Sequence, residues 1–293
     1  MVGAARAESL PEHYAAYGLL IVTQLVAAPF PHPARAEGHT YKDQFYSAKE
    51  HYSNSTVAIF IPKALPELGR ADFVVHFHGW MNNVEGVLQR YKLIEQMAES
   101  GRRAVLVVPQ GPRDAPDSFG GKLEDAGGFE RFMTEVGSTL RSQAGWKEFV
   151  LGSIVLSAHS GGYEVAAASL DHGGLSGHVT EVWLFDALYA QTARFAAWFG
   201  QTNGRFIDIY TEHGGTKEQT ERLMASLKQG GTNFLAGKEG QTDAADLIGH
   251  HLIFLYSLLP HNDVLDKHRT FLDLLNASGL RQLNDPEKRK SAQ

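Results

Sequence analysis

The chain has 293 residues and a net charge of −6, from 27 Lys and Arg against 33 Asp and Glu; it holds 14 histidines and no cysteine. Without cysteine it has no disulfides, no thiolate metal ligands and no thiol nucleophile. The acidic balance argues against the clustered basic surface that nucleic-acid binding requires.

The chain opens on a segment, 1–18, that reads as an N-terminal tail. Ala5, Arg6 and Ala7 before Glu8 have the composition of a trimmed signal cleavage site, but Arg6 is the only base beside Glu8 and Glu12, which is poor for a signal peptide. A periplasmic or secreted location and a cytoplasmic one both remain open. The apolar stretch 18–28 is too short to span a bilayer and runs into Pro29, Pro31 and Pro33, so no membrane partner is expected. Beyond it, β-branched apolar runs fall at 19–27, 56–62, 72–78, 104–109, 149–158, 179–185, 205–211 and 251–259. Several, such as AVLVVP, lack strict alternation, as central strands covered on both faces do. Helical patterns intervene at 86–100, 129–144, 163–170, 191–199, 216–228 and 264–277. The first two runs are joined without a helix and pair naturally as antiparallel neighbours. Eight strands with helices between the later ones predict a single α/β domain over 19–280, and the charged segment 281–293 reads as a disordered tail.

The fifth run ends in LSAHSGGYEVAAASL, which places Ser160 between a strand and a helix with Gly161 and Gly162 behind it. This fits the nucleophile-elbow pattern G-x-S-x-G, with Ala158 in the first small-residue slot and Gly162 in the last. The sharp turn demands small neighbours two residues away, and the helix start behind Ser160 offers N–H groups and a positive dipole end to a developing oxyanion. A Ser-Gly-Gly helix start without chemistry satisfies the same five residues. The third run ends VVHFHGWMNN, where a backbone N–H beyond the strand would complete an oxyanion hole. Gly161 and the Gly79–Trp80 backbone are the candidate donors. His78, Asn82 and His159 are candidates for substrate binding. His76 and His78 alternate on one strand face and could form a His-x-His zinc pair, the basis of a metal-dependent alternative; the nearby Asp and third His that such sites carry are missing, so no metal is expected.

A serine nucleophile needs a base, and the base an orienting acid. His261 lies in the loop after the last run (SLLPHNDVLDKH), where such a base arrives. His268 falls within the predicted helix that follows, and His250 and His251 begin the strand at the wrong end of the sheet. For the acid, Asp186 ends the sixth run in VWLFDALYA, although capping alone would account for it. Glu212, just after the seventh run in IYTEHGG, is the alternative, and Asp263 stands too close in sequence to His261.

The order Ser160, Asp186, His261, the elbow AHSGG and the loop HFHGW together resemble the α/β-hydrolase superfamily over about residues 19–278. Two features depart from it: Ala158 replaces the first elbow glycine, and Asp186 follows strand six where most members place the acid after strand seven. The resemblance implies a mostly parallel eight-stranded sheet flanked by helices, and a serine hydrolase that works through an acyl-enzyme without metal or organic cofactor. A carboxylic ester is the default substrate; an amidase or peptidase on the same triad and an inactive α/β-hydrolase-like binding protein are the alternatives. Only one helical pattern, 191–199 with Phe195, Trp198 and Phe199, separates strands six and seven, so no large lid domain is expected. The long polar loop 110–128 and the connection 29–55, with Tyr41, Phe45, Tyr46 and Tyr52, would wall the site and suggest a small polar or saccharide-linked ester as partner.

Overall fold

A computed structural model describes residues 9–63, 65 and 69–283. The Ala5–Ala7 stub and the charged segment from 284 onward lie outside the described residues. Nine strands form the main sheet: β1 (Gly18–Gln24), β4 (Thr56–Pro62), β5 (Arg70–Phe77), β6 (Ala104–Pro109), β7 (Val150–His159), β8 (Val179–Phe185), β9 (Arg205–Thr211), β10 (Leu235–Lys238) and β11 (Leu252–Ser257). Their order is β1-β4-β6-β5-β7-β8-β9-β11-β10, with a separate hairpin of β2 (His39–Tyr41) and β3 (Gln44–Tyr46). The pairs β1–β4 and β4–β6 are antiparallel and every other pair in the main sheet is parallel.

The run-like strands are central ones. All six residues of β6 are buried, and their side chains divide by the strand period of two: Val105 and Val107 enter the core on one face, Ala104, Leu106 and Val108 that on the other. On the first face lie α5 (Gly128–Gln143), α6 (Tyr163–His172), α7 (Thr192–Gln201) and α8 (Lys217–Gln229), with Phe129, Phe132, Val136 and Phe195 fully buried. On the other lie α1 (Leu10–Tyr14), α3 (Val84–Tyr91), α4 (Leu93–Ser100), α9 (Ala244–Gly249) and α10 (Thr270–Ala277), which bury Tyr14, Leu88, Ile94 and Phe271. Each such apolar side chain contributes about 1.5–3 kcal/mol of burial free energy. The connection between β8 and β9 holds only α7, whose Phe195 and Trp198 pack into this core rather than over the site. Among the described residues, no helix is long and apolar enough to cross a membrane.

Four expectations change. Both segments read as tails reach into the fold: Leu10–Tyr14 form α1 with Tyr14 fully buried, and residues 281–283 pair along 101–103. The sheet has a ninth strand: β10 is a four-residue edge strand, LAGK, with no fully buried residue and hence no apolar run to announce it. The helical pattern over 86–100 breaks into α3 and α4 at Lys92, which takes the left-handed conformation (φ 50°). The last helix begins only at Thr270, so His268 stands in the turn before it rather than inside it.

The connection 29–55, which also carries α2 (Ala48–His51), packs against loop 110–128 through a third cluster of Phe30, Tyr46, Tyr52 and Ala115. Arg35 joins the two segments by a 2.7 Å ion pair with Asp117 and lies over the Phe119 ring, and His32 meets Asp125 at 3.3 Å. Two acidic side chains of loop 110–128, Asp117 and Asp125, are thus paired with the facing connection.

Asp208, in the middle of β9, is completely buried; Thr220 Oγ1 donates to its Oδ2, while Oδ1 finds no partner among the described residues. Burial, with a smaller contribution from the charge of Asp186, pushes its pKa up to about 7. A raised folded-state pKa makes Asp208 cost stability as pH rises from the unfolded value near 4 through 7, by an amount on the order of a few kcal/mol. Asp208→Asn, which mimics the protonated side chain, is therefore expected to raise the melting temperature at pH 8 and to leave it nearly unchanged at pH 4. Equal melting-temperature differences at both pH values would contradict this assignment.

Candidate active site

The chain runs from β5 to β6 on one side and then to β7 on the other, so the strand order reverses around β5 and a crevice opens at the C-terminal strand ends. Ser160 follows β7 there with φ 53° and a side chain almost excluded from solvent. A left-handed non-glycine residue costs about 1–2 kcal/mol, and its surroundings explain how it is held. A Cβ on Gly79 would lie 2.4 Å from the Ser160 Cβ, one on Gly161 would meet Ser118 Oγ and Trp80 Cδ1 at 2.7 Å, and one on Gly162 would strike the Phe77 carbonyl oxygen at 2.4 Å. The loop after β5 therefore lies directly on the elbow, and only glycine fits at these three places. Ala158 is fully buried in the core beneath.

His78 and Asn82 shape this loop. His78 Nδ1 donates to the Gly79 carbonyl at 2.9 Å, and its Nε2 accepts from Gln110 Nε2 and the Gly111 N–H, both at 2.9 Å. These partners require the tautomer protonated at Nδ1. Burial depresses its pKa, which favours that neutral ring. Asn82 Nδ2 donates to the Trp80 carbonyl at 2.9 Å. The Trp80 indole donates to Ser118 Oγ at 2.8 Å, stands edge-on to Tyr41 at 5.1 Å and is partly exposed. His76 is fully buried and bonds Ser157 Oγ. Among the described residues, no group of three or more His, Cys, Asp and Glu is arranged to hold a metal ion.

Asp186 follows β8, also left-handed (φ 47°) and fully buried. Its Oδ2 accepts from His261 Nδ1 at 2.6 Å and from Thr211 Oγ1 at 2.7 Å; its Oδ1 accepts from the Thr211 N–H and from Thr216 Oγ1. Burial alone would raise its pKa, but the bonds from His261, Thr216 and Thr211 outweigh it and hold the carboxyl below the ordinary aspartate value. Gly214 completes the cradle, since a Cβ there would fall 1.6 Å from Asp186 Oδ2. Glu212 is placed elsewhere: it is half exposed, paired with Lys217 Nζ at 2.7 Å and the Tyr256 hydroxyl at 2.6 Å. His213 is exposed beside it.

His261 stands after β11 with about a quarter of its side chain exposed. Its carbonyl accepts from His159 Nε2 at 3.0 Å, and the two rings lie tilted by 32° with centroids 4.7 Å apart. Since a carbonyl only accepts, the His159 proton is on Nε2, leaving Nδ1 facing the Tyr91 hydroxyl at 3.4 Å. Burial, then the neighbouring His261, lowers the His159 pKa to about 3, so this ring stays neutral. With both nitrogens engaged and the ring fully buried, His159 ties the residue before Ser160 to the loop of His261. Tyr189 closes the group: its ring is edge-on to His261 at 6.4 Å, its hydroxyl donates to the Gly214 carbonyl at 2.5 Å, and Ser160 interacts with that hydroxyl. Burial, with the Asp186 charge next, pushes the Tyr189 pKa up to about 12.

Ser160 and the bonded pair Asp186–His261 thus lie at three strand ends, with Gly79 packed on the serine and Trp80 on Gly161; no hydrogen bond joins Ser160 to His261 among the described residues. Thr211 and Gly214 lie in the segment IYTEHGG beside Glu212 and Thr216 directly after it, but nothing local marks them as partners of Asp186. Tyr189 lies in VWLFDALYA and Ser118 in the loop 110–128, with no local signal that singles either out.

No protein-family model and no curated protein matches the sequence. Solved structures do match the fold. A ferulic acid esterase superposes with a TM-score of 0.56 at 10% identity, covering 89% of this chain and 97% of that one. The feruloyl esterase module from Clostridium thermocellum, complexed with sinapinate, gives 0.55 at 10% identity over 94% of both chains. FphF, a fluorophosphonate-binding serine hydrolase of Staphylococcus aureus, gives 0.53 at 9% identity over 89% of this chain and 99% of its own.

Proposed function

We propose that this chain, with its α/β-hydrolase fold, is a serine hydrolase of carboxylic esters. The observation that carries the reading is the 2.6 Å bond between His261 Nδ1 and the fully buried Asp186, beside a left-handed serine on a strand-to-helix turn. In this mechanism Ser160 Oγ attacks the ester carbonyl while its proton passes to His261 Nε2. Asp186 holds the imidazole in the required tautomer and balances the imidazolium charge. The tetrahedral oxyanion takes hydrogen bonds from the backbone N–H groups of Gly161 and of Gly79 or Trp80, which the overlapping glycines bring to the serine. Collapse expels the alcohol, protonated by His261, and leaves an acyl group on Ser160. Water, deprotonated by His261, attacks that ester; the acid leaves and Ser160 regains its proton.

The partly exposed Trp80, edge-on to Tyr41, offers a flat apolar surface next to Ser160. It supports a ring-bearing substrate, a polar or sugar-linked ester included, because sugar and aromatic faces both pack on an indole. The chain's activity is tested with p-nitrophenyl acetate and butyrate alongside a matched p-nitroanilide. Esters are expected to turn over, the anilide at least about 100-fold more slowly, with no loss in chelator. Ester turnover no faster than that of Ser160→Ala would overturn the reading, and faster anilide cleavage would replace esterase by amidase.

A further inference from the structure

The ninth strand ends in a buried carboxylate that the mechanism above does not use. Glu239 follows β10, its side chain fully buried, and its N–H donates to the Tyr256 carbonyl, extending the strand pairing. Its Oε2 accepts from Ser257 Oγ at 3.1 Å and from His268 Nδ1 at 2.6 Å, while Oε1 accepts from Thr270 Oγ1. Ser257 is the last residue of β11 and Thr270 the first of α10. One carboxylate therefore grips both ends of the 258–269 connection, whose other notable residue is His261. Ser257 Oγ also accepts from the Leu259 N–H at 3.1 Å, so the clamp reaches two residues from the histidine.

The connection has other anchors. Val264 and Leu265 are fully buried, Gln96 Nε2 donates to the Leu265 carbonyl, and Arg269 pairs with Glu99. These hold the part after His261, and His159 and Asp186 hold His261 itself; among the described residues Glu239 is the side chain that bonds both the strand side and the helix side of the connection. Catalytic geometry tolerates about 0.5 Å, and a misplacement near 1 Å costs about 100-fold in rate. We propose that Glu239, through Ser257, His268 and Thr270, is a positioning residue that fixes the His261 loop for catalysis. This inference rests on His261 being the base.

The test compares wild type with Glu239→Gln, His268→Asn and the double variant. Turnover and the rate of fluorophosphonate inactivation are measured per folded molecule. Glu239→Gln is expected to lower kcat and the inactivation rate together by about 10- to 100-fold, with KM within about twofold. The double variant should be no slower than the worse single one, because both break the same clamp. The downfield proton resonance of the His261–Asp186 bond should broaden or vanish in Glu239→Gln and stay in Glu212→Gln. A purely structural glutamate would lower the melting temperature and leave kcat, inactivation rate and that resonance as in wild type, which would overturn the proposal. If Glu239→Gln does not fold, Thr270→Val and His268→Asn each remove one bond and carry the same readouts. Wild-type protein inert to the probe would remove the base assignment and this proposal together; a reactive wild type with an equally reactive Glu239→Gln would remove the positioning role alone.

Discussion

Ser160→Ala is expected to lower kcat/KM for a p-nitrophenyl ester by about 10⁴-fold or more, because it removes the atom that forms the acyl-enzyme. The residual rate should come from the oxyanion donors and substrate binding, which the substitution leaves in place. Stability should move little or rise. The serine is held at φ 53° against Gly79, and alanine carries the same strain with no buried hydroxyl to satisfy. A folded Ser160→Ala protein with unchanged KM and a collapsed kcat separates chemistry from binding. A loss confined to KM would mean that Ser160 holds substrate and some other group attacks it.

Asp186→Asn should cost about 10³- to 10⁴-fold in kcat, whereas Glu212→Gln should stay within about twofold. Asp186 accepts four hydrogen bonds, from His261, both groups of Thr211, and Thr216. An asparagine has one acceptor oxygen, so its amide would face donors, and the imidazole would lose the partner that keeps its proton on Nδ1. The variant should also be less stable at neutral pH. The Asp186 pKa is depressed by folding, so its contribution is present above the unfolded pKa near 4 and is lost as pH falls through the folded value. The stability gap between wild type and Asp186→Asn should therefore narrow in acid. Among the described residues Glu212 bonds Lys217 and Tyr256 at the surface, where such pairs contribute about 0–1 kcal/mol. A Glu212→Gln protein as damaged as Asp186→Asn would transfer the acid's role to it.

Much of the sheet is legible in the sequence because its centre is buried on both faces. Thr56–Pro62, Ala104–Pro109, Val179–Phe185 and Arg205–Thr211 are strands with the expected bounds, since short segments rich in β-branched and aromatic residues favour strands over helices at that length. Features that depend on partners are not legible. β10 exists because β11 offers it an edge, and its own LAGK carries no pattern. Lys92 breaks a helical run by a left-handed turn that lysine does not signal. The turn before α10 persists although 264–277 has a helical pattern, because Glu239 and Gln96 engage its polar groups from distant segments.

The candidate site divides the same way. Ser160 and His261 stand out through local context, a strand-to-helix turn of small residues and the loop after a final strand. Asp186 is the preferred acid and Glu212 the alternative from position alone, as strand-end carboxylates; what separates them is which donors surround each, and the threonine cradle of Asp186 comes from the end of the next strand and the loop after it. The histidine excess resolves into contacts that sequence spacing does not encode. His78 sets the Gly79 loop and His159 holds the His261 carbonyl, while His268 bonds Glu239.

The most direct test of the central claim is mass spectrometry of the protein after reaction with a fluorophosphonate. The account predicts one adduct per chain, mapped to the peptide that contains Ser160, formed in the presence of chelator, lost in Ser160→Ala and slowed in Asp186→Asn. Folded wild-type protein that stays unmodified at saturating probe, or that carries its adduct on a residue other than Ser160, would contradict it.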